Sequence, residues 1–182
     1  MRYAGHMTSQ ESAVRIAPGE PRWLDDRQLG AWIRFIAVVE LLPGVLDSQL
    51  RRDSDLSHFE YYVLAMLSEA PDRTLRMTAL AARTNATLAR LSHVVSRLEA
   101  RGLVERQPCP GDRRATNARL TPAGWDVVVA AAPGHVATVR DVVVDVLTPV
   151  QMDQLGEISA AILRRLDPTG AMTEPYRRPA TP

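Results

Sequence analysis

Between Arg101 and Leu120 the spacing of the apolar residues changes period, and that change limits the chain to few folds. From Ala86 to Arg101 they recur every three or four residues, as on one face of a helix. "LVERQP" and "ATNARL" then read as two short extended segments around the turn Cys-Pro-Gly-Asp-Arg-Arg, Cys109 to Arg114, which makes a hairpin. Gly102 stands where a helix closing on a left-handed residue needs it, and Thr121 with Pro122 opens the next helix. This order predicts a mainly α fold with a small β-hairpin wing.

Upstream, apolar residues cover most of a helix from Arg27 to Arg51, with Pro43 and Gly44 expected to kink it. "LGAWIRFIAVVELLPGVL" is long enough for a membrane span, but Arg34, Glu40 and Pro43 argue for a buried helix instead. Ser57 and Glu60 form a capping box for the next helix, which Pro71 and Asp72 end. A short helix from Arg76 to Thr84 has Thr78 as its expected cap. The helix from Ala86 to Arg101 has Thr84 or Asn85. A helix through the 120s reaches about Leu147, with a break expected at Pro133-Gly134. "TPVQMDQLGEISAAILRRL" gives the last helix. The whole is a winged helix-turn-helix set among helices too apolar to stand alone.

Residues 1–22 read as a flexible arm without the apolar core of a signal peptide, and residues 168–182 as a proline-rich tail. A single cysteine excludes an internal disulfide framework and suits a reducing cytoplasm.

Net charge is only +1, and all 22 basic residues are arginine. From Arg76 to Arg119, however, nine arginines face three acids, a local charge of +6 that leaves −5 elsewhere. A basic module in a near-neutral chain is the electrostatic footprint expected for a nucleic-acid duplex. On a helical wheel Leu88, Leu91, Val95 and Leu98 share the stripe expected to face the core. The opposite stripe collects Ala86, Ala89, Arg90, His93, Ser96 and Arg97. Small residues at its start allow approach to a groove floor. Arg90 and His93 can donate to guanine O6 and N7, and Arg97 is better placed for phosphate.

The segment "TLARLSHVVSRLEARGLVERQPCPGDRRATNARLTPAG" resembles the winged-helix core of the MarR family of transcriptional regulators. The resemblance lies in "SRLEARGLVER", in the Asp112-x-Arg114 of the wing, and in Leu120-Thr121-x-x-Gly124. "AWIRFI" and "LSHFEYYVLAMLSEAPDRTLRMTALA" extend it to about Leu29–Leu166. It implies a homodimer built by a first dimerisation helix (23–56) and C-terminal dimerisation helices (121–167) around a DNA-binding domain (57–120). It also implies recognition helices in successive major grooves, Arg114 in the minor groove, and Asp112 shaping the wing tip. Arg113 is the alternative minor-groove residue and otherwise a phosphate contact. The expected function is a repressor on an inverted-repeat operator.

Family members commonly answer either a small aromatic acid or an oxidant; for a small aromatic or phenolic effector the resemblance points to Trp32, Phe35, His58, Tyr61 and Tyr62 as pocket candidates. No cofactor is expected. Scattered histidines and the lack of a CxxC give no metal site. Two rival readings are a winged helix that binds protein, and a thiol redox sensor acting through Cys109 beside Arg106, Arg113 and Arg114. An enzyme is not expected: there is no GxSxG, HExxH or GxGxxG, and without lysine there is no Walker lysine or Schiff base.

Overall fold

Ser57 starts the part of the chain that carries most of the core. Its hydroxyl accepts from the Glu60 backbone N–H at 3.2 Å, and Glu60 Oε2 accepts from the Ser57 N–H at 2.8 Å. The expected capping box therefore opens α2 (His58–Ser68). A computed structural model describes residues 21–109 and 111–173, except for the side chain of Arg113, so most of the arm and the end of the tail lie outside the described residues.

The chain divides into two compact units, one through Val39 and one from Glu40, and α1 (Asp26–Ser54) runs from the first into the second. In the first unit Asp25 and Gln28 exchange reciprocal hydrogen bonds of 3.1 and 2.7 Å, which satisfy orphan donors at the helix start. Helical structure continues through Pro43. The expectation that this helix is buried fails in the single chain: Trp32, Ile33, Phe35, Val38 and Val39 are all exposed. Among α1 residues only Leu46, Gln49 and Leu50, near its end, are buried.

In the second unit a 3₁₀ turn (Pro71–Arg73) leads into β1 (Thr74–Arg76), α3 (Met77–Arg83) and α4 (Leu88–Ala100). The hairpin follows as β2 (Val104–Cys109) and β3 (Asp112–Leu120), then α5 (Pro122–Val139), a π turn (Arg140–Val144) and α6 (Pro149–Leu166). The sheet is antiparallel in the order β1-β3-β2, with Leu75 opposite Ala118 and Arg106 opposite Ala118 on the other side. β1 was not expected, because three residues are too few to show a period of two.

Thr78 does not cap α3; Arg76 holds that position with no side-chain bond. The expected break at Pro133-Gly134 is absent too, since α5 runs on to Val139. A Cβ at Gly134 would stand 3.1 Å from Gln49 Nε2, so the glycine lets α1 and α5 approach. Thr148 and Gln151 form a second capping box at α6, where no residue is buried in the single chain.

The core joins Leu50 and Leu56 to Leu64, Leu67, Leu80, Leu91, Leu98 and Leu120. Gly124 shows why the Leu-Thr-x-x-Gly pattern is needed. A Cβ there would come within 2.1 Å of the Leu103 carbonyl oxygen and 2.7 Å of Leu120 Cδ1. Thr121 fastens the same corner, its hydroxyl donating to the Gly102 carbonyl at 2.7 Å and accepting from the Gly124 N–H at 3.0 Å. The hairpin is thereby tied to the first turn of α5.

Candidate nucleic-acid interface

Helix α4 begins later than expected, because the capping residue is Thr87, whose hydroxyl accepts from the Arg90 N–H at 3.2 Å. Neither Thr84 nor Asn85 caps it. Ala86 therefore precedes the helix and packs, half-buried, against the core instead of sharing the outward stripe. Leu91, Val94, Val95 and Leu98 are buried, and Gly102 closes the helix end at φ +71°. The remaining stripe residues Ala89, Arg90, His93, Ser96 and Arg97 are exposed as expected. Leu88 is the second correction. It is 50% exposed and faces a cleft, not the core.

That cleft, of about 300 Å³, separates α4 from the wing and is lined by Arg76, Met77, Leu88, Ser92, Arg106 and Arg114 among others. Arg76 and Arg106 at this concavity are paired with Asp112 and Glu99, Arg114 is exposed there, and Leu88 adds an apolar patch. A polyanion with an apolar edge, such as a duplex groove, is complementary to the exposed Arg114 and to Leu88.

Two of the stripe arginines are held by α2. The Arg90 guanidinium lies 4.3 Å above the Phe59 ring, and Arg97 Nη2 is 3.1 Å from Glu60 Oε1. Burial, the largest influence on Glu60, works against its ionisation. The bonds from Ser57 and the charges of Arg97 and Arg101 outweigh burial and hold the carboxyl below its ordinary range. Arg97 thus already has a carboxylate partner, although about half of its side chain stays exposed. Ser96 is also engaged, accepting from Arg106 Nη2 at 2.9 Å.

At the wing, Gly111 takes φ +84° and the register shifts between Pro108 and Cys109. Asp112 organises this tip. One carboxylate oxygen accepts from the Arg114 N–H at 3.1 Å, and the other faces Arg76 Nη2 at 3.2 Å. The same Arg76 nitrogen reaches Cys109 Sγ at 3.5 Å. Arg114 is exposed on β3, while the side chain of Arg113 lies outside what the structure describes. The roles of Arg76 and Arg106 were missed, since only the fold brings β1 and β2 beside the tip and α4. Among the described residues no group of three or more His, Cys, Asp or Glu could hold a metal ion.

His58, Tyr61 and Tyr62 line a cavity of about 290 Å³ together with Glu69 and His135, whereas Trp32 and Phe35 belong to the first unit, with ring centroids 6.3 Å apart. His135 was not foreseen, because its position depends on how α5 packs on α2. Its ring centroid lies 4.6 Å from that of Tyr61 and 6.3 Å from that of His58. Burial lowers the pKa of His58, against a smaller pull upward from Asp47. Burial and then the charge of His58 lower that of His135.

A sequence profile described as the MarR family matches residues 54–115. The structure of Sco3205, a MarR family transcriptional regulator from Streptomyces coelicolor solved in complex with DNA, superposes with a TM-score of 0.78. The two are 45% identical, over 82% of this chain and 93% of that one. The chain belongs to the MarR family. AbsC, another MarR family transcriptional regulator from Streptomyces coelicolor, is 36% identical over 80% of this chain and 98% of its own, with a TM-score of 0.76. The transcriptional regulator HosA from Escherichia coli O111:H- is 33% identical over 79 residues, which are 43% of this chain and 57% of HosA. The resemblance noted in the sequence is thereby confirmed. Membership in this family of transcriptional regulators decides against an enzyme.

Proposed function

We propose that two copies of this MarR family chain bind an inverted-repeat operator in duplex DNA and act as a repressor, in the cytoplasm. The observation that carries this reading is the exposed Arg90–His93 stripe of α4 beside Arg114 of the wing, within a segment of charge +6. Arg90 and His93 read base edges in the major groove, Ala89 allows close approach, and Ser96 and Arg97 lie toward the backbone. Arg114 enters the adjacent minor groove, where a narrow A·T-rich stretch concentrates negative potential. Arg113 contacts phosphate or replaces it there. Asp112 holds the wing tip in shape. That Sco3205 was solved with DNA supports the reading.

Residues 57–120 form the DNA-binding part and residues 23–56 with 121–167 the dimerisation parts. Val136, Val146, Val150, Leu155 and Ile158 are exposed in the single chain, as are Trp32, Val38 and Leu41 in α1. Apolar surface on this scale marks an association face. Arg34, Glu40, Asp126 and Arg140 within the long apolar helices count against a lipid partner. Half-sites then lie about one helical turn, roughly 34–36 Å, apart.

A small aromatic or phenolic effector that releases DNA is supported by the cavity holding His58, Tyr61, Tyr62 and His135. Selection from a random-sequence duplex pool followed by footprinting tests the main reading. Enrichment of an inverted repeat protected on one DNA face is the expected result, and no enrichment overturns it.

A further inference from the structure

Arg106 sits on β2 but spends its side chain on α4. Its Nη2 donates to the Ser92 carbonyl at 2.7 Å, to the Ser96 hydroxyl at 2.9 Å and to the Ser92 hydroxyl at 3.3 Å. Its Nη1 meets Glu99 Oε2 at 3.0 Å, and its backbone N–H donates to Glu99 Oε1 at 3.0 Å. The helical period explains the match. Ser92, Ser96 and Glu99 are four and three residues apart and so form one edge of α4. The strand period explains the other half. Arg106 shares a sheet face with Val104, which is buried, so both point toward the side on which α4 packs. At 26% exposure the Arg106 side chain is the more enclosed member of its ion pair with Glu99.

From this geometry we infer that Arg106 and Glu99 are positioning residues that set the wing in register with the recognition helix. They act through α4 and the hairpin, and touch no DNA themselves. A fork of planar donors fixes both distance and rotation between two elements, which a single point charge does not. Two grooves are read at once only if Arg90 on α4 and Arg114 on β3 keep a fixed separation. The Arg106 clamp holds the strand paired with β3 against the helix that bears Arg90. Its bond to Ser96 also assigns that hydroxyl to the clamp and away from direct readout.

This inference rests on the DNA-binding reading, and the experiment separates the two. Binding is measured against salt for the duplex that the unsubstituted protein selects and for a scrambled duplex of the same composition. Arg106→Lys keeps the charge but loses the fork. The ratio of the two affinities should fall about tenfold, the discrimination of roughly one base pair, with scrambled-duplex affinity and salt slope unchanged. Glu99→Gln should lower the ratio as well, although removing an acid beside a polyanion would by itself tighten binding to both duplexes. The double substitution should lose no more than the larger single loss, because one clamp is being broken. An unchanged ratio in Arg106→Lys overturns the inference while leaving the DNA reading intact. So does uniform tightening in Glu99→Gln. No salt-dependent binding by the unsubstituted protein overturns both.

Discussion

Arg97 Nη2 stands 3.1 Å from Glu60 Oε1, an ion pair that joins the exposed face of α4 to the first turn of α2. The two partners differ in environment: Glu60 is almost fully enclosed and Arg97 is half exposed. Glu60 also completes the α2 capping box. Glu60→Ala should therefore cost about 1–2 kcal/mol in thermal or denaturant unfolding, mainly through the lost cap. Arg97→Ala should cost less than about 1 kcal/mol, as solvent-screened pairs do. Equal losses from both would show that the ion pair, not the cap, dominates.

Gly124→Ala tests the corner that fastens the hairpin to α5. The added methyl would meet the Leu103 carbonyl oxygen, a backbone atom that cannot swing aside. Destabilisation of about 3 kcal/mol is expected in denaturant unfolding. A variant with an unchanged midpoint would show that the corner opens readily.

The proposed DNA contacts predict separable contributions from the exposed cations. Arg90→Ala and His93→Ala should each weaken binding to the selected duplex by about 1–3 kcal/mol and relax its sequence preference. Arg114→Ala should weaken binding measurably and reduce preference for A·T pairs beside the half-sites. Competition binding with substituted duplexes checks both. Wild-type affinity in Arg114→Ala would refute the wing assignment.

The stacked pair His58 and His135 gives a pH prediction. Both imidazoles lie below their ordinary value of about 6.5, so the folded protein binds fewer protons than the unfolded chain as pH drops through that value. Stability from this pair is complete above about pH 6.5 and is lost as pH falls through the folded-state values. The melting temperature should decrease on acidification there, and less so in His135→Gln. A melting temperature that rises in the same window would contradict the assignment.

The sequence made the architecture legible because its signals were local. Ser57-x-x-Glu60, Gly102, the hairpin turn and Thr121-Pro122 each act within one turn of chain. The buried stripe Leu91, Val95 and Leu98 followed from periodicity alone. Leu88 escaped that logic: one turn earlier on the same stripe, it has the cleft, not the core, beside it. Arg76, Arg106 and His135 escaped for a related reason. Their partners lie on elements distant in sequence, Asp112 for Arg76, α4 for Arg106 and Tyr61 for His135. Helix α1 was misjudged because an apolar circumference shows that a helix needs covering, and not which chain supplies the cover.

The most direct test is the affinity of the unsubstituted protein for duplex DNA as salt is raised. Each phosphate neutralised by arginine releases condensed counterions, so log affinity should fall linearly with log salt, with a slope of about −0.9 per contact. A steep linear fall, shallower by about one after Arg114→Ala, is the predicted result. Binding that ignores salt, or no binding to any duplex, would contradict it.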